Sequence, residues 1–89
     1  MASFIKDPDA TLDFVFDWSD WLATGETIAS QDVTVEDGLT KGSVTESSGQ
    51  VTVRLSGGTV NTRYSVACKI TTSSGQIDER TMTILVINR

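Results

Sequence analysis

The chain has 89 residues, 38 % of them hydrophobic, and a formal net charge of −5, with a single cysteine and no histidine. That length makes one small domain, and the charge argues against nucleic acid or an anionic membrane surface as partner, because both are bound by clustered lysine and arginine. Without histidine most zinc sites and every His-dependent acid/base or nucleophilic arrangement fall away, and one cysteine cannot close an intrachain disulfide.

The chain opens with "MASFIKDPDA", which lacks a basic head followed by an apolar stretch, and no later apolar run approaches the ~20 residues of a membrane span. A soluble protein without a secretion signal is expected. Asp-Pro-Asp around Pro8 favours a turning or extended segment, so residues 1–10 read as an extended arm leading into a domain over residues 11–89. Phe4 and Ile5 in that arm either pack back on the domain or dock on a neighbour.

The stretch "LDFVFDWSDWL" follows, with Leu12, Phe14, Phe16 and Trp18 alternating against Asp13, Val15 and Asp17. A period of two is a strand with one buried face, and it sends the carboxylates to the other side from the aromatics. "TIASQDVTV" carries Ile28, Val33 and Val35 with a parity change that predicts a bulge or bend, and "EDGLT" closes that strand. "GSVTE" reads as a short, weak strand. "QVTVRLS", "RYSVACKITT" and "ERTMTILVI" alternate strongly, and "SSGQ" is the turn of a hairpin between the last two. Leu85 and Ile87 fall on the outward face of the last strand. Six or seven short antiparallel strands predict an all-β, Ig-like or fibronectin type III-like β-sandwich of about seven strands. Tyr64, opening a strong strand after "GGT", sits where such sandwiches place the tyrosine whose hydroxyl pins the crossing between sheets.

Candidate chemistry is thin. Asp13 and Asp17, with Asp20 and Glu26 nearby, are the only carboxylate group worth testing, but four residues of strand separate the first two by roughly 13 Å, too far for a retaining glycosidase pair. Solvated carboxylates are the simpler reading. "KDPDA" and "VEDG" have too few acids for a calcium loop and suit turns. No cofactor or metal site is predicted and no enzymatic activity. Cys68, on an apolar strand, reads as a small buried hydrophobe. Residues 1–40 hold nine acids and one base, the remainder three acids and six bases; this is either internal pairing or a polar molecule suited to head-to-tail contacts, with pairing the plainer choice. Trp18 belongs with the core by parity, whereas Trp21 follows the break and either caps the sandwich or faces a partner.

Protein contact therefore outranks catalysis. The expected partner-binding residues are Phe4, Ile5 and Lys6 of the arm, then Trp21 and Arg80. The last strand, with Leu85 and Ile87 outward, could also extend a neighbouring sheet.

The segments "KDPDATLDFVFDWSDWLATGETI", "VTVRLSGGT" and "YSVACKITTSSGQIDERTMTI" resemble a family of short proteins of tailed phages and prophages, some described as fiber-like or virion proteins. The resemblance spans nearly the whole chain and implies an Ig-like structural protein of the virion. The expected role is a capsid decoration or cement protein on the head exterior, bound to the major capsid protein or other virion proteins and capable of self-association. A head-to-tail connector, a tail or fiber-associated protein, and a carbohydrate-binding module for host adhesion are the alternatives.

Overall fold

Alternating side chains set the strands. In the computed structural model, which describes residues 2–88, Val51, Val53 and Leu55 of β5 (Gln50–Gly57) are fully buried while Arg54 between them is exposed. The same period buries Tyr64, Val66, Cys68 and Ile70 on β6 (Thr62–Thr72) and Met82, Ile84 and Val86 on β7 (Ile77–Val86). β2 (Leu12–Asp17) buries Phe14 and Phe16, and Trp18 just beyond it is enclosed completely. With β1 (Ala2–Lys6), β3 (Ile28–Val35) and β4 (Leu39–Ser47), the described residues form seven strands. Met1 of the expected arm and Arg89 of the expected domain lie outside the described residues.

The strands make two sheets, ordered β1-β7-β6-β3 and β2-β5-β4, whose apolar faces enclose one core. This is the all-β sandwich that the alternation predicts. Every pairing is antiparallel except that of β1 with β7, which is parallel. The acidic first half and basic second half interleave through these pairings. Asp13 on β2 meets Arg54 on β5 at 2.9 Å, and Asp32 on β3 stands opposite Lys69 on β6.

Tyr64 joins the layers as expected. Its hydroxyl accepts a hydrogen bond from the Thr59 N–H at 2.8 Å, five residues upstream, across the crossover from β5 to β6. Two glycines make room for the ring. A Cβ on Gly38 would lie 2.9 Å from Tyr64 Cε1, and one on Gly58 would lie 2.7 Å from Val86 Cγ2 and 3.4 Å from Tyr64 Cε2. Both have positive φ, at 104° and 99°, so glycine is required there for space and for backbone conformation.

The structure departs from the sequence reading in three places. Residues 2–6 of the extended arm pack back on the domain as strand β1, which lies against β7 from Ala2 opposite Met82 to Lys6 opposite Val86. Consequently β7 is not the exposed terminal strand, because β1 covers its outer edge over Met82–Val86. β4 starts at Leu39, whose buried side chain and pairing with Gly57 hold residues that the sequence reading gave to a closing turn; a register break between Lys41 and Val44 hides the strand's period. Leu12, inward by parity, is 38 % exposed because it opens β2 at the margin of the sandwich. The bend expected in β3 is present, as a register shift between Ile28 and Ser30.

Candidate protein-binding surface

The carboxylates of the opening strand are occupied. Asp13 takes both an Nε and an Nη hydrogen bond from Arg54, and Asp17 accepts the Ser19 N–H at 2.8 Å and the Gln50 amide at 3.2 Å. These bonds hold both carboxyls below the usual range. A general acid needs the opposite shift. Glu26 is lowered too, chiefly by the hydroxyl of Ser74, which donates to it. Asp7 accepts the Asp9 N–H at 2.9 Å across Pro8, the turn role expected of that acidic pair. Among the described residues no three histidine, cysteine or acidic side chains gather to hold a metal ion, and no helix is long and apolar enough to cross a membrane. Burial pushes the Cys68 thiol up to about 11, so it stays protonated and packs as a hydrophobe.

Trp18 anchors one end of the core through polar partners. Its indole N–H donates to Asp78 at 2.9 Å, its ring stacks with Phe16 at a centroid distance of 6.0 Å, and the Arg80 guanidinium lies 4.8 Å from its ring centroid. Arg80 also donates to the Asp17 carbonyl and faces Asp78 at 3.8 Å. Arg80 thus spans the gap between β7 and β2.

The other expected contact residues lie in different places. Lys6 faces inward and is fully buried, with its ammonium donating to the Gly57 carbonyl at 2.7 Å and the Asp7 carbonyl at 2.8 Å. Burial lowers its pKa, with Asp7 and Asp9 opposing that shift. It ties β1 to the end of β5 and offers no surface to a partner. Phe4 and Ile5 stay 39 % and 49 % exposed on β1. Phe4 meets Phe14 edge-on at 5.5 Å, while Ile5 shares a groove of about 530 Å³ with Arg63, Thr83 and Leu85.

Trp21 stands apart, at the pole formed by the turn after β2 and the β6–β7 hairpin. The Trp21 and Leu22 N–H groups both bond the Trp18 carbonyl, making the single turn that leaves the Trp21 ring 42 % exposed. It borders an open depression of about 640 Å³ with Gly25, Glu26, Ser74 and Gln76. Eight strand steps along β7, from Ile77 to Leu85, separate this pole from the Ile5 groove, about 26 Å at ~3.3 Å per residue. Ile77, 62 % exposed, escaped the sequence reading. Its outward parity with Glu79 and Thr81 was the available signal.

The protein is thus a small β-sandwich in which Asp13, Asp17 and Glu26 are held in hydrogen bonds and exposed apolar side chains collect at one edge and one pole. The family described as "Podophage GP4 fiber-tail adaptor protein gp77" matches residues 6–85, and the chain belongs to this family. It is a phage virion structural protein. No curated protein matches it.

Proposed function

We propose that this protein is a fiber-to-tail adaptor of a podophage virion, an Ig-like sandwich that holds a fiber component to a tail component. The family match over residues 6–85 carries the reading. It favours the tail and fiber alternative over capsid decoration, and supports tail components over the major capsid protein as partners. The strand order β1-β7-β6-β3 and β2-β5-β4, together with the Tyr64 hydroxyl bonded upstream, supports the Ig-like description. Two separated contact regions suit an adaptor. Phe4 and Ile5 face one partner, and Trp21 with Ile77 faces the other; Arg80 acts from behind by fixing Trp18.

Particles assembled without this protein test the reading. The expected outcome is intact heads and tails that lack fibers, with the protein present in wild-type particles at the low copy number of a tail symmetry. Near-capsid copy number, with fibers retained in its absence and heads made fragile, would return it to the capsid surface.

A further inference from the structure

The sandwich has four sheet edges, and they are treated differently. On one side, β3 and β4 each have a register break, and their exposed side chains are mainly small or polar, among them Ser30, Asp32, Thr40 and Thr45. Lys41 of β4 also donates to the Val33 carbonyl of β3 at 2.9 Å. Irregular pairing and edge lysines are the devices by which sheets refuse further strands. On the other side, β1 and β2 pair without a break, and they carry Phe4, Ile5, Leu12 and Val15, all more than a third exposed. The lysine of that edge, Lys6, is turned into the protein.

The backbone of β1 is arranged to receive a strand. The Lys6 carbonyl accepts from the Ile87 N–H at 3.0 Å, so Lys6 directs its backbone groups toward β7. By the alternation of strand backbone, Ser3 and Ile5 turn their N–H and C=O groups away from β7, toward the open side. A strand laid there would cover Ile5 with one face and Phe4 and Leu12 with the other. We infer that the β1 edge is a strand-addition site, occupied by an extended, largely apolar segment of another virion protein that joins the β1-β7-β6-β3 sheet as a fifth strand. This rests on the adaptor reading and gives the binding mode of its Phe4 and Ile5 surface.

Charge chooses the occupant. Residues 2–20 hold five carboxylates and one ammonium, the buried Lys6; Arg54, paired with Asp13, and Arg63, beside Ile5, offset two of them and leave this margin acidic. Two copies paired edge to edge would bring these acidic margins together, which costs energy, whereas a segment flanked by lysine or arginine is attracted. The partner strand is therefore basic at its ends and comes from a different chain.

The test uses the intact protein and a synthetic probe, a nine-residue peptide of alternating valine and threonine with two lysines at each end. A second peptide is N-methylated at alternate residues and so loses its donors along one edge. Amide exchange by NMR is expected to slow at least tenfold at Ser3 and Ile5 on saturation with the first peptide, while the methylated peptide leaves exchange unchanged. Ile5→Pro removes an outward N–H without touching the bonds to β7, since proline is tolerated at the open side of an edge strand. It should weaken peptide binding at least tenfold while Ile5→Ala, which keeps the N–H, weakens it less. Protection of β3 or β4 instead, equal binding by Ile5→Pro, or absence of binding at millimolar peptide would overturn the inference. So would a dimer in sedimentation that Ile5→Pro dissolves, since the occupant would then be a second copy. If Ile5→Pro particles carry their fibers normally, strand addition fails while the adaptor role stands.

Discussion

At the residue scale, alternation along the strands places the interior side chains. Trp18, Tyr64 and Cys68 fall into the core by parity alone, and each is at most 4 % exposed. Lys6 was legible only as a charge in an apolar setting, because its acceptors are backbone carbonyls, one of them 51 residues away, that leave no sequence mark. Gly58 shows a related limit. "GGT" signals a turn, but not that Val86 stands 2.7 Å from the position of an added Cβ. Gly58→Ala is therefore expected to cost about 3 kcal/mol, from positive φ and overpacking together, whereas Gly75→Ala, at φ 91° with open space around it, costs about 1 kcal/mol. Urea unfolding of the two variants checks the order; equal losses would mean that Val86 moves aside freely.

At the element scale, legibility followed regularity. β5, β6 and β7 have unbroken alternation, and their buried sets were all readable. β4 was read short because the break between Lys41 and Val44 resets its period. β1 was read as an arm because five residues with adjacent Phe4 and Ile5 show no alternation, and because its parallel partner lies about eighty residues along the chain. The proposed contact surface is half legible for the same reason: Phe4 and Ile5 stand out as unexplained apolar residues, but the strand that presents them does not. Position within the sheet also grades the side chains. Leu55, fully buried on the central strand of its sheet, should cost about 3 kcal/mol on truncation to alanine and lower Tm by roughly 12–24 °C. Ile77→Ala, at 62 % exposure, should move Tm by no more than about 4 °C. Calorimetry of both variants decides it; a large loss at Ile77 would mean that this side chain packs in solution.

At the scale of the whole molecule, the acidic composition is organised rather than merely solvated. Asp13, Asp17 and Glu26 all have carboxyls held below their ordinary values by hydrogen bonds from Arg54, Ser19 and Ser74. For such groups the unfolded chain binds protons more readily than the folded one, so their contribution is fully present above about pH 5 and is lost as pH falls below about 4. Stability against urea should therefore be flat from pH 7 to 5 and drop in stronger acid. Asp17→Asn should flatten part of that drop, and an unchanged acid limb in that variant would show that Asp17 is as readily protonated folded as unfolded.

The parallel pairing of β1 with β7 also fixes how the protein carries load. The first and last strands run side by side in the same direction, from Ala2 beside Met82 to Lys6 beside Val86. Tension applied between the two ends of the chain pulls β1 backward and β7 forward. The hydrogen bonds between them are then strained together, in shear, instead of opening one after another as in a peeled hairpin. Lys6, locked to the Gly57 carbonyl of the opposite sheet, resists the same sliding. Pulling the two ends apart therefore meets the fold across the full set of β1–β7 hydrogen bonds rather than one bond at a time.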